Sequence, residues 1–158
     1  MKKTNAVRIL DRLKITYELI EYVVDESDLS AVHLAATAGV PIEKVFKTLV
    51  LEGDKTGHFV CIIQGGDEID LKKAALASSN KKVAMIPMKE LEPLTGYIRG
   101  GCSPLGMKKN FPVFIDTSAF DQTIIYISAG VRGMQIKLTP DDLVIACKAK
   151  KAEITQER

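Results

Sequence analysis

The feature that most constrains this chain is one apolar run, Val45-Phe46-Lys47-Thr48-Leu49-Val50-Leu51, with a turn signal close behind it. Gly53-Asp54-Lys55-Thr56-Gly57 comes next, then a second β-rich run over residues 58–64. Two such runs joined by a short glycine-bounded turn predict a hairpin. Its neighbours are helical segments, and strand and helix do not alternate regularly. That order disfavours a doubly wound parallel sheet. The expected class is α/β: a mixed, mostly antiparallel sheet, curved or barrel-like, with helices packed around it.

The other elements are read from local signals. Thr4 or Asn5 can cap a first helix whose stripe is Ala6, Ile9, Leu10 and Leu13. Residues 17–24 read as a strand. Ser30 caps a second helix, which Gly39 and Pro41 end. Leu71–Ser78 reads as a helix with Leu71, Ala74, Ala75 and Leu76 on its apolar side. A short strand is expected over 82–86, a short helix over 88–94 and a strand over 97–99. Strands are also expected at Val113–Asp116, 123–128 and Met134–Leu138, with Gly130 and Gly133 bracketing a turn. Thr139-Pro140-Asp141-Asp142 is a helix start, with a capping hydroxyl, an early proline and acids at the positive end of the dipole. The polar tail from Lys148 onward is expected to fray.

Composition then excludes several functions. At 158 residues the chain fits a single domain, 1–158, with a buried core. A net charge of +2 is too small for a protein that coats DNA, so no DNA partner is expected and any nucleic-acid contact is local. No apolar run approaches the ~20 residues that cross a bilayer. Met1-Lys2-Lys3 is followed by no signal-peptide core, because Arg8, Asp11 and Arg12 interrupt the stretch. A cytoplasmic protein without membrane contact is expected. Cys61, Cys102 and Cys147 are odd in number, widely spaced and form no C-x-x-C, so neither a disulfide framework nor a zinc knuckle is indicated. His33 and His58 are too few for a histidine-rich metal site. No metal or cofactor is expected.

Three segments can carry chemistry. Lys47 shares a strand face with Val45, Leu49 and Leu51, so it faces solvent, guards an edge or points into a pocket. In Gly100-Gly101-Cys102-Ser103-Pro104 the paired glycines let backbone amides approach a ligand, or simply make a tight turn. Ser128-Ala129-Gly130-Val131-Arg132-Gly133 lies at the end of a strand and allows close backbone approach, or is a hairpin loop. Cys102 resembles a nucleophile, but no motif places a histidine beside it. Among the lysine pairs, 2–3, 72–73, 81–82 and 150–151 read as solvated surface. Lys108-Lys109 follows the glycine loop and is the first choice for a phosphate contact.

These segments, in this order, resemble the YbaK family of bacterial Cys-tRNA(Pro) deacylases. That family belongs to the superfamily of the inserted editing domain of prolyl-tRNA synthetase. The resemblance runs through Val45-Phe46-Lys47-Thr48-Leu49, Leu71-Lys72-Lys73, Lys81-Lys82-Val83, Thr95-Gly96-Tyr97, Gly100 to Gly106 and Tyr126-Ile127-Ser128-Ala129-Gly130. It implies a cleft on one side of the sheet. The family lysine falls on Lys47, the G-x-x-x-P loop on Gly100 to Pro104, a cleft aromatic on Tyr22, and a serine on Ser128. The chain departs from the family at Leu29-Ser30, in place of an aromatic, and at Gln135, in place of an acid. The implied activity is hydrolysis of mischarged Cys-tRNA(Pro), with the substrate's own thiol attacking its carbonyl. Lys47 would populate the thiolate or orient the 3′ end. The implied partners are aminoacyl-tRNA and, transiently, prolyl-tRNA synthetase. Two rival readings are a non-catalytic tRNA- or nucleotide-binding module and a Cys102-dependent hydrolase.

Overall fold

A computed structural model describes residues 3–158. Met1 and Lys2, and with them the start of the expected leader-free N-terminus and half of the first lysine pair, lie outside the described residues.

Capping sets the helices. The first, α1 (Asn5–Arg12), begins where the Thr4 hydroxyl oxygen accepts the Val7 N–H at 3.2 Å. The same hydroxyl donates to the Ala129 carbonyl at 2.6 Å, which ties the helix start to a distant loop. Ala6, Val7 and Leu10 are buried, whereas Leu13 lies past the helix end and is 46% exposed. Strand β1 is Glu18–Glu21, shorter than the expected run. Helix α2 (Ala31–Ala38) is capped by Ser30 and ended by Gly39 at φ +71°.

The expected hairpin is β2 (Phe46–Gly53) and β3 (Gly57–Gln64), in register from Phe46↔Gln64 to Gly53↔Gly57. After it come α3 (Leu71–Ser78), β4 (Val83–Met85), a 3-10 turn over Met88–Glu90 and α4 (Leu91–Thr95). The chain finishes with β5 (Val113–Asp116), a 3-10 turn over Thr117–Asp121, β6 (Ile125–Ser128), β7 (Met134–Leu138), α5 (Pro140–Cys147) and β8 (Lys150–Ala152).

The strands form two sheets. One is antiparallel, in the order β1-β7-β6; the other runs β4-β2-β3-β5-β8. In the second, β2 pairs antiparallel with β3 and β4, while β3–β5 and β5–β8 are parallel. A parallel bridge, Val45↔Tyr126, joins the sheets at one seam. The arrangement is mixed and mostly antiparallel, as expected, but it does not close into a barrel.

Strand alternation feeds two cores. Phe46, Val50, Val60, Ile62 and Ile115 face the other sheet, together with Ile127, Ile136 and α1. Leu51, Phe59, Cys61, Ile63 and Phe114 face the opposite way, against Ala74 of α3 and Ile154. Covering both faces explains why the hairpin reads as continuously apolar.

Three expectations are corrected. Leu71 and Leu76 of α3 point outward, at 43% and 83% exposure, while Ala74, Ala75 and Ser78 are buried. The close approach of this helix to the sheet selects small residues. Residues 97–99 are not a strand, because Tyr97 turns inward and its hydroxyl donates to the Leu105 carbonyl. The tail does not fray: β8 pairs with β5, Ile154 is fully buried, and Arg158 binds Asp67 and Gln64.

Candidate functional site

The cleft opens where the sheets separate. The Val60 N–H donates to Pro112 at 2.8 Å, so it faces β5 and its partner Val50 belongs to a non-hydrogen-bonded pair. Alternation then turns the backbone groups of Thr48 away from β3, toward the open edge of β2. β4 and Ile86 just after it cover that edge only from the Val50 carbonyl onward, and β6 meets it only at Val45↔Tyr126. Between these contacts lies a cavity of about 450 Å³. Its floor is the β2 edge, and Leu29, Gly65, Met85, Gly100 and Ser128 contribute to its walls.

Lys47 is half-buried in this cavity, on the strand face expected. Its ammonium donates to the Gly65 carbonyl at 3.2 Å. Among the described residues it forms no ion pair. The pocket is mostly apolar, and the exposed Glu68 and Arg99 are the other charged residues in its lining.

The two glycine segments pack against each other. A Cβ on Gly101 would lie 3.1 Å from the Arg132 nitrogen and 3.1 Å from the Val131 carbonyl carbon. Gly100 takes φ +84°, a region that strongly favours glycine, and the Arg132 side chain donates to the Arg99 carbonyl at 2.8 Å. Gly130, at φ +100°, lies against the Tyr97 ring. The Gly101 N–H is used within its own turn, on the Ile98 carbonyl at 3.0 Å. Gly100 and Cys102 line the cleft, and no partner takes their N–H groups among the described residues. Gly101, Gly130, Ser103 and Pro104 do not line it. Ser103 is fully buried and accepts the Leu105 N–H at 3.3 Å, and Pro104 borders a different cavity.

Ser128 reaches the cleft, and its hydroxyl accepts the Gly130 N–H at 3.1 Å. Gln135 stands opposite it across β6 and β7, also in the cleft wall. The side-chain oxygens of Gln135 and Thr48 are buried without a hydrogen-bond partner. Such an orphan costs about 1–3 kcal/mol. Thr48 carried no signal beyond interrupting an apolar strand, and Gln135 stood out only as a departure from the resemblance.

Other candidates fall elsewhere. Tyr22 borders a small hollow beside the cleft, sharing Leu29 and Gly100 with it. The Lys108 stem covers Gly96, and Lys109 borders the cavity at Pro104. Burial pushes the Cys102 thiol up to about 12, against a smaller opposing effect of a hydrogen bond with Thr95. His33 lies 3.3 Å from Asp25, and His58 lies 3.2 Å from Glu52; neither lines the main cleft. Among the described residues no group of His, Cys, Asp or Glu could hold a metal ion.

The profile of the aminoacyl-tRNA editing domain matches residues 25–145, a span that contains β2, the glycine loop and the β6–β7 turn. This chain belongs to the aminoacyl-tRNA editing domain family. An Enterococcus faecalis relative, EbsC, described as a candidate Cys-tRNA(Pro)/Cys-tRNA(Cys) deacylase, is 48% identical over 154 residues. The match covers 98% of this chain and 94% of EbsC. Bacillus subtilis YwhH, a protein without an assigned role, is 28% identical over 119 residues, 75% of each chain. A crystal structure of a candidate trans-editing enzyme for prolyl-tRNA synthetase shares the fold at TM-score 0.82 and 22% identity, covering 99% of this chain and 100% of that one. The hypothetical protein APE2540 does so at TM-score 0.88 and 20% identity, covering 97% and 100%. The editing domain is thus an aminoacyl-tRNA deacylase by family, and its substrate is an aminoacyl-tRNA. No helix among the described residues is long and apolar enough to cross a membrane.

Proposed function

We propose that this editing domain hydrolyses Cys-tRNA(Pro) in the cytoplasm, acting as one domain and meeting prolyl-tRNA synthetase transiently. The observation that carries the reading is a mostly apolar cleft in which Lys47 is the half-buried cation, with no histidine in its lining and with the exposed Glu68 as its one carboxylate among the described residues. Cys102 is held protonated, and both histidines lie outside the main cleft beside carboxylates.

A chemistry that fits such a cleft takes the nucleophile from the substrate. The cysteinyl thiolate attacks its own ester carbonyl carbon, and the carbonyl oxygen becomes an oxyanion. The C–O bond to the tRNA 3′ end breaks, the departing oxygen takes a proton, and a thiolactone forms. Water opens the thiolactone to free cysteine. Lys47 favours the thiolate or holds the terminal ribose-phosphate, and the Gly100 and Cys102 N–H groups meet the oxyanion. Ser128 and the Tyr22 side of the cleft flank the aminoacyl group. Lys108 and Lys109 contact tRNA phosphates outside the cleft.

The test is a deacylation panel of Cys-, Ala-, Ser- and Pro-tRNA, with and without chelator, and with Lys47→Ala alongside. Cys-tRNA should be released fastest and without metal. Preferential hydrolysis of Ala-tRNA would move the substrate assignment. Binding without hydrolysis of any of the four would leave a tRNA-binding module.

A further inference from the structure

The cleft lining contains two polar side chains that the protein itself leaves unsatisfied. The Gln135 carbonyl oxygen and the Thr48 hydroxyl oxygen are both buried without partners, and both residues line the cleft. Of the three such side-chain atoms among the described residues, only the Ser118 hydroxyl lies elsewhere. Gln135 is only 4% exposed, and its neighbour across the sheet, Ser128, lies on the same face.

An amide oxygen can only accept. It is satisfied by a donor, and the donor-rich group of an aminoacyl ester is its α-ammonium, with three N–H bonds. Of the charged residues in the lining, Glu68 draws that ammonium into the cleft while Lys47 and Arg99 repel it, and the two unsatisfied oxygens are the buried acceptors it can reach there. The outer torsion of a glutamine is soft, so its oxygen can turn toward the cleft on binding. We propose that Gln135, with Thr48, receives the α-ammonium of the substrate. The cleft then accepts esters bearing a free α-amino group and refuses N-acylated ones, peptidyl-tRNA included.

This rests on the deacylase reading, and the experiment separates the two. Cys-tRNA(Pro) and the same ester acetylated on nitrogen alone are given to the wild type, Gln135→Leu, Gln135→Glu and Thr48→Val. Each rate is divided by the uncatalysed rate, because a free ammonium also speeds spontaneous hydrolysis. The wild type should favour the free amine by at least about 30-fold. Gln135→Leu should lose about 10- to 100-fold in kcat/KM on the free amine, so that the preference shrinks. Thr48→Val should do the same more weakly. Gln135→Glu should keep the preference and lower KM for the free amine, since a carboxylate holds an ammonium more strongly. Equal wild-type rates on both esters would overturn the proposal, as would a Gln135→Leu loss of the same size on both. Hydrolysis of neither ester by the wild type would sink the deacylase reading, and the proposal with it.

Discussion

The Lys47 ammonium donates to the Gly65 carbonyl, 3.2 Å away, from a strand that also carries the buried Phe46, Val50 and Leu51. Gly65 lies just past the end of β3, and its N–H donates to the Val45 carbonyl at 2.7 Å. One turn of chain thus closes the hairpin end and aims the lysine. A Cβ on Gly65 would stand 2.5 Å from that of Ala31. The anchor is therefore wedged between β2 and α2.

From this geometry we expect Lys47→Ala to lower deacylation at least about 100-fold while the melting temperature stays within a few degrees. The change removes a cation rather than core volume. Lys47→Arg should also be poor, because a planar guanidinium does not replace a compact ammonium in a narrow site. Rate and melting are measured together for both variants. Near-normal turnover in Lys47→Ala would refute the assignment.

Cys102→Ala should keep most of the activity. The thiol lies in the cleft wall but is held protonated by burial. Loss of a true nucleophile costs orders of magnitude, so a drop beyond about 100-fold in a folded variant would restore the thiol-enzyme alternative.

The three thiols also set an alkaline limit. Burial pushes Cys61, Cys102 and Cys147 from an ordinary 9.0 up to about 12. A raised pKa in the folded state gives stability that is fully present below the unfolded value and lost as pH rises through the folded one. Melting temperature should therefore fall as pH climbs from about 9 toward 12, less steeply in a Cys102→Ala/Cys147→Ala double variant. At a pH of about 8, below the ordinary thiol value, the native thiols should react with a disulfide reagent far more slowly than those of the denatured chain. Identical melting slopes in the two proteins would contradict this.

Asn80 should be the most costly polar residue to lose outside the cleft. Its carbonyl oxygen accepts the Lys55 and Thr56 N–H groups at 2.9 Å each, and its amide donates to the Thr56 and Ser78 hydroxyls at 2.8 Å each. It binds the hairpin turn to the end of α3. Asn80→Ala should destabilise by roughly 2–4 kcal/mol, by loss of a buried network. Urea unfolding measures it, and a change under about 0.5 kcal/mol would show the network to be dispensable.

Much of this was legible in the chain. The hairpin and α5 announced themselves because their signals are local: a glycine-bounded turn, Thr139 as a cap and proline in a first turn; the Asp70 cap of α3 shows only in the structure. β8 was not, because Lys150 and Lys151 read as solvent-facing and only the distant partner β5 makes them a strand. Lys47, Gly100 and Ser128 were visible as exceptions to their surroundings. Thr48 and Gln135 acquire meaning only when hydrogen-bond partners are accounted for in three dimensions.

The open stretch of β2 has an evolutionary consequence. Main-chain N–H and C=O groups at Thr48 point toward the cleft whatever side chain other than proline stands there, so that part of the floor survives most point mutations. Drift in amino-acid preference must pass through the few wall side chains. A lineage can exchange Met85 or Leu29 in the cleft lining while retaining the main-chain surface beneath them.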